Sequence, residues 1–345
     1  MMNKWVQSKL FWPLIMLLVV LLFNLIVDPS FFKIEVKNGH LFGSLIDILN
    51  RGAPLILVSL GMTLVIATKG IDLSVGSVIA MSAAIAAMMV SQEGVDGNSL
   101  LPLFTAIGVA LALSLVSGLW NGALVSYIGI QPIVATLILM VAGRGIAQLI
   151  TGGQITTIYY KPYYFIGAGH LFMLPFSIFI VLFFLGVAHL LTRKTALGLF
   201  IEAVGSNSTA TRLAGINSKF VMLLVYIFCG LCAGIAGLII SSNVASADGN
   251  NLGLWFELDA ILAVVIGGTA LTGGRFNLMG TVIGALIIQS LTTTIYSIGV
   301  PPEITLVIKA IVVLVVCLVQ SEEFRKKIMI RKKTIQRIES KEVTG

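Results

Sequence analysis

The sequence predicts an all-α, polytopic membrane protein of about ten transmembrane helices, with both termini on the cytoplasmic side. Composition is the first observation: of 345 residues, 57% are hydrophobic and 11% charged, where a soluble domain carries about 25% charged residues. The second is that apolar runs near the length needed to cross a bilayer recur along the whole chain. The third is that these runs are continuous and do not alternate, which argues against a transmembrane β-barrel. The 35 glycines suit the same class, because small residues let membrane helices approach closely.

The first run, FWPLIMLLVVLLFNLIV, follows Lys4 and Lys9 and resembles a signal peptide. VDPSFF comes next instead of a small-residue cleavage site, so the run is read as a retained first helix entering from the cytoplasm. With it, spans are expected at about 12–28, 52–68, 73–91, 101–125, 132–151, 171–191, 219–241, 258–271, 278–296 and 303–320. The eighth is short, and an eight-span arrangement with re-entrant segments near 69–77 and 267–277 is the alternative.

Charge sets the orientation. The segments expected in the cytoplasm hold 16 of the 22 Lys and Arg, the external ones only Lys33, Lys37, Arg51 and Lys161. That asymmetry is the positive-inside pattern. Residues 1–320 are expected to form one membrane domain, with 192–218 as the longest cytoplasmic loop between spans. A basic tail over 321–345 carries Arg325, Lys326, Lys327, Arg331, Lys332, Lys333, Arg337 and Lys341. It reads as a cytoplasmic tail facing anionic lipid, not as a nucleic-acid site.

Signatures of an enzyme are missing from the sequence. No G-x-x-x-x-G-K-[S/T] loop is present to cradle ATP phosphates, and GGTALTGGRF at 267–276 lacks the lysine. His40, His170 and His189 stand apart, and no His/Cys/carboxylate spacing suggests a metal. Cys229 and Cys232 form CGLC, but inside an apolar run where small residues suit helix packing. Asp28, Asp47, Asp72, Asp259 and Glu303 fall at or near span ends. An ion-coupled secondary sugar transporter, the runner-up reading, usually keeps an acid deep in a span, although sodium sites also use backbone carbonyls.

Four features carry the remaining information. In ATKGIDLSVGSV (67–78), Asp72 either caps the next helix or marks a broken helix on a substrate path. NGALVSYIGIQPIVATLILMVAGRG (121–145) holds Asn121, Gln131 and Arg144 near or within two spans. Arg144 is costly in lipid and must find a partner or line an aqueous path. Lys309 lies within the last span, where snorkelling to the surface would relieve its charge. Finally, IEAVGSNSTATRLAGI (201–216) has alanines that favour helix. Ile201, Val204, Leu213 and Ile216 offer an apolar face, so it is either a solvated connector or a surface that docks a partner.

KGIDLSVGS, NGALVSYIGIQPIVATLILMVAGRG, ALGLFIEAVGSNSTATRLAGIN and ELDAILAVVIGGTALTGGR occur in that order. Together they resemble the permease subunits of bacterial ABC sugar importers of the ribose/galactoside type. The likeness covers about 45–320. LFGSLIDILNRGAP, LLTRKTALGLFIEAVG and LWFELDAILAVVIGG resemble galactofuranose importer permeases in particular. The resemblance implies a pore of two permeases in the bacterial inner membrane, a heterodimer with a second, related subunit or alternatively a homodimer. It also implies a cytoplasmic ATPase pair that binds ATP and Mg and an external sugar-binding protein, with no cofactor in this chain. The family's coupling element maps onto Glu202, Ala203, Gly205, Asn207, Ala210 and Gly215, with EAV where related import permeases have EAA. Asp72, Asn121, Gln131 and Arg144 are the candidates for the translocation path.

Overall fold

The computed structural model describes residues 10–27, 29–37, 39–92, 99–299, 301, 304, 306–311 and 314. In chain order the helices are α1 (Phe11–Val27), α2 (Ser44–Ala67), α3 (Val75–Val90), α4 (Leu101–Ala123, continued by a π-helical turn to Ile128), α5 (Pro132–Thr151), α6 (Lys161–Ala168), α7 (Phe176–Arg193), α8 (Leu197–Ser206), α9 (Ser208–Leu213), α10 (Ser218–Val244), α11 (Phe256–Ile266) and α12 (Leu278–Ser297). Among the described residues, six helices are long and apolar enough to cross a membrane: α2, α4 with its extension, α5, α7, α10 and α12. Three short antiparallel pairs tie loops together: β1 (Glu35–Lys37) with β2 (His40–Phe42), β3 (Ile155–Thr157) with β6 (Ser246–Asp248), and β4 (His170–Leu171) with β5 (Leu174–Pro175).

Several boundaries differ from those read in the sequence, each for a local reason. α2 starts at Ser44, so Asp47 and Arg51 lie on a helix and not in an external loop. Hydropathy marks where lipid begins, whereas the helix runs on beyond it. α7 starts at Phe176 because Phe172 and Met173 turn the chain at φ 46° and 69°. α11 has eleven residues and rises only ~16 Å, about half of a ~30 Å hydrocarbon core. Of the last expected span, 303–320, residues 304, 306–311 and 314 are described, and the tail, 321–345, lies outside the described residues.

The core is built around α2 and α10. α2 is buried without interruption from Gly52 to Ala67, as an all-round apolar helix should be. α4, α5 and α7 turn Phe104, Val116, Leu149, Leu182 and Phe183 outward, the large apolar side chains that suit lipid. Where α4 meets α10 the side chains are small. A Cβ on Gly118 would lie 2.6 Å from the Tyr226 carbonyl oxygen, and one on Gly230 2.6 Å from that of Ser114. Backbone thus packs on backbone, the contact that holds helices together where lipid removes the hydrophobic drive. Cys229 and Cys232 are buried, free thiols on α10 within this packing.

Two charged or polar features also part from the sequence reading. Lys309 does not snorkel: its Nζ lies 2.5 Å from Asp259 Oδ2 on α11, with side chains 14% and 21% exposed. Pairing removes the lone charge that made the position costly. His40 and His170 are not isolated either. Their rings stack at 4.3 Å, since the Leu41 N–H donates to the Met173 carbonyl and joins the two hairpins. Burial, and then the neighbouring His40, hold the His170 imidazole below its ordinary range.

Gly230→Leu is expected to force α4 and α10 apart at a cost of about 1–3 kcal/mol or more. A lowered unfolding temperature of the detergent-purified protein would register it.

Candidate functional site

Residues 192–218, read as one loop, form an elbow of two short helices. α8 ends because Asn207 adopts φ −155° and ψ 101°. The Asn207 Oδ1 then accepts hydrogen bonds from the backbone N–H of Thr209 (3.1 Å) and Ala210 (3.0 Å), and α9 begins. This is N-capping, which satisfies donors that a helix start leaves open. Gly215 closes α9 at φ 85°, a left-handed conformation glycine reaches at no steric cost. Asn217 caps α10 in turn, accepting from Phe220 N at 3.1 Å.

The closest approach of the elbow to the core is at Gly205. Gly205 is buried, and a Cβ there would stand 1.8 Å from the Ala67 carbonyl oxygen and 2.6 Å from the Gly274 nitrogen. Those two atoms are themselves bonded, Gly274 N–H donating to Ala67 O at 2.9 Å. The Lys69 ammonium donates to the Ser206 carbonyl at 3.0 Å. The Arg193 guanidinium sits 5.9 Å from the centre of the Phe276 ring. The C-terminal end of α8, the end of α2 and the turn 267–277 therefore form a single seam.

The two turns in this seam have the same shape. After α2, Lys69 takes φ 64° and Gly70 N–H reaches back to Val65 O at 3.0 Å. After α11, Gly268 takes φ 85° and Thr269 N–H reaches back to Val264 O at 3.2 Å. Both are helix ends closed by a left-handed residue. The sequence pairs 69–77 and 267–277 only as alternative re-entrant segments; it does not show their common turn, or that Lys69, Gly274 and Phe276 meet the elbow. The usable signal is that charge makes both glycine-broken segments and 192–218 expected on one side of the membrane.

The apolar face expected of the elbow is divided. Ile201 and Val204 are buried in the protein's own core, because the seam draws that side of α8 inward. Leu213 is 81% exposed and Leu199 68% exposed. Glu202 and Ala203 are half-buried, while Asn207, Ala210 and Gly215 are exposed.

Of the four path candidates, the fold brings two together. Asp72 Oδ1 accepts from Ser74 N–H (2.9 Å) and Ser74 Oγ (2.6 Å), and the Asn121 amide reaches Ser74 Oγ (2.7 Å) and Asp72 Oδ1 (3.3 Å). All three are buried. Asp72 makes a two-residue side-chain turn ahead of α3 and not a cap on its open N–H groups. Arg144 lies elsewhere on α5, donating from Nη1 to the carbonyls of Leu252 (2.7 Å) and Gly249 (3.4 Å). Gln131 precedes α5 and is exposed at the protein surface.

The seam thus joins the surface elbow to the ends of α2 and α11, and the outer layer of the bundle suits lipid. A family model described as the permease component of branched-chain amino acid transport systems matches residues 44–317. The chain belongs to that permease family. The permease is 53% identical over 319 residues to the galactofuranose transporter permease protein YtfT of Escherichia coli K12, covering 91% of each chain. It is 40% identical over 325 residues to the fructose import permease protein FruF of Bifidobacterium longum, covering 92% of this chain and 89% of the relative. It is 36% identical over 314 residues to the ribose import permease protein RbsC of Escherichia coli K12, covering 90% and 93%. No solved structure matches the chain significantly.

Asp72→Ala should leave Ser74 N–H and the Asn121 amide short of an acceptor and cost about 1–3 kcal/mol of stability. Asp72→Asn, which keeps an acceptor oxygen, should cost less. Thermal unfolding of both variants in one detergent ranks them.

Proposed function

We propose that the permease is the membrane-spanning subunit of an ATP-driven, binding-protein-dependent importer that carries galactofuranose inward across a bacterial inner membrane. The observation that carries this reading is the 53% identity, over 91% of both chains, to a galactofuranose transporter permease. The fructose and ribose import permeases among its relatives support sugars as the substrate class.

In this reading residues 1–320 form one membrane domain of about ten crossings, with both termini cytoplasmic and a basic tail at 321–345. The chain is not itself an enzyme and carries no cofactor. ATP and Mg sit on a partner ATPase, a second and related permease completes the pore, and an external binding protein delivers the sugar. Asp72, Asn121, Gln131 and Arg144 line or gate the path.

The α8–α9 elbow is the ATPase contact, through Glu202, Ala203, Gly205, Asn207, Ala210 and Gly215. Two observations support this. The positive-inside pattern puts 192–218 in the cytoplasm, and the elbow leaves Leu199 and Leu213 uncovered. When the ATPase pair closes, it pushes the elbow. Gly205 passes the displacement to the end of α2 and to the turn before α12, and the core helices tilt from one access state to the other. ATP drives the change because it binds the two states with different affinity, as any coupled switch requires.

Leu213→Glu and Glu202→Ala are each expected to weaken docking by about 1.4 kcal/mol, about tenfold. ATP hydrolysis stimulated by the binding protein and sugar uptake should fall together in proteoliposomes, with membrane insertion unchanged. Wild-type values of both in both variants would remove the docking role.

A further inference from the structure

Two broken elements meet inside the bundle, away from the elbow. α3 starts below the surface: Ser77 Oγ donates to the Leu139 carbonyl at 3.1 Å. Leu139 lies roughly 10 Å along α5 from Pro132. From the opposite side the loop 249–255 descends to the same region. A Cβ on Gly76 would stand 2.5 Å from the Gly253 carbonyl oxygen and 2.4 Å from Glu257 Oε2. α11, the half-length helix, begins here with Glu257 in its first turn. Arg144 lies about 18 Å along α5, near mid-depth of a ~30 Å core.

Between α3, α5 and the start of α11 is a cleft of about 470 Å³ whose walls include Ser77, Val141, Arg144, Gln148, Leu254 and Glu257. That volume is within the roughly 300–1,000 Å³ of small-molecule sites. It is open on the α5 side, where Val141 is 72% exposed. A guanidinium, a carboxyl group and an amide at this depth are costly against hydrocarbon. The face that carries them therefore borders an aqueous route and not lipid chains.

The chemistry of the walls selects a kind of ligand. Arg144 donates to the Leu252 and Gly249 carbonyls through Nη1, and a guanidinium has five N–H donors, so others remain. Glu257 supplies acceptors, and Gln148 supplies both a donor and an acceptor. One cationic and one acidic group leave no surplus charge to favour a phosphate or a metal ion. The combination suits a neutral molecule with many hydroxyls.

We infer that this cleft is the sugar-contact subsite of the translocation path, with Arg144 donating to sugar oxygens, Glu257 accepting from hydroxyls and Gln148 doing both. The inference rests on the importer reading and adds Gln148 and Glu257 to it. α11 serves here as the discontinuous half-helix that transporters place at mid-membrane sites.

The test uses the complete complex of permease, ATPase and binding protein in proteoliposomes. The probe is radiolabelled galactose, whose aqueous solution contains the furanose form. The readout is sugar moved per ATP hydrolysed, which a merely structural defect in assembly would not change. Arg144→Met and Glu257→Gln are each expected to lower that ratio about tenfold, the worth of one charge-assisted hydrogen bond. Leu182→Ala, on the outward side of α7, should leave it unchanged. In parallel, Gln148→Cys should react with a membrane-impermeant thiol reagent and lose uptake, whereas Leu182→Cys should do neither. Wild-type ratios in Arg144→Met and Glu257→Gln, or an unreactive Gln148→Cys, would overturn the subsite and leave the importer standing. A wild-type complex that hydrolyses ATP but moves no galactose would remove the sugar-importer reading and the subsite with it.

Discussion

The fold turns on one close approach, that of Gly205 to the end of α2. A side chain of any size there would collide with the Ala67 carbonyl oxygen, 1.8 Å from where its Cβ would stand. Because the position is glycine, the elbow lies directly on two helix ends, and Gly274 N–H closes the joint by bonding to Ala67 O. A seam of backbone on backbone has few rotamers to absorb a displacement. In the proposed importer this is what lets a push on the surface reach α2 and α12, which touch again higher up at Thr63 and Thr281, their hydroxyl oxygens 2.8 Å apart.

The rest of the molecule follows the logic of lipid as solvent. Large apolar side chains lie outside, and small residues lie where helices cross, so that packing replaces the missing hydrophobic drive. Polar groups at depth must be paired or must face water. Lys309 is paired with Asp259, and Asp72 is held within hydrogen bonds to Ser74 and Asn121. The cleft beside Arg144 is where such groups are read as facing water, and its position between the buried starts of α3 and α11 is why it is assigned to the path. Irregular backbone at membrane depth is tolerated only where it is buried in protein or lines such a cavity.

Much of the architecture was legible in the sequence, because a run of apolar residues states its own burden in water. The helices α1 to α5, α7, α10 and α12 fall where apolar runs lie. The half-length of α11 was legible only as a short span. The loop before it, GNNLGLWFE, does not advertise that it descends to Gly76. The elbow was legible as an anomaly, and its caps at Asn207 and Asn217 are of a type that announces helix starts. Its seam was not, since Gly205 meets Ala67 and Gly274 across long separations that single-chain periodicity does not encode. The pairing of Lys309 with Asp259, and the stacking of His40 on His170, were hidden for the same reason. Of the path candidates, Asp72 and Asn121 were singled out separately and the fold joins them, while Glu257 was not singled out, because in the sequence it reads as one more loop acid.

The central claim is that the elbow and the 267–277 turn move as one body. Spin labels at Leu213→Cys and Arg275→Cys, both exposed positions, allow the distance between them to be measured by pulsed electron resonance in the assembled complex. The account predicts the same distance with and without ATP, while a Leu213→Cys label paired with one at Ser91→Cys on the opposite end of α3 changes its distance. A change between Leu213 and Arg275 larger than about 2 Å, the scale of a helix shift, would contradict it.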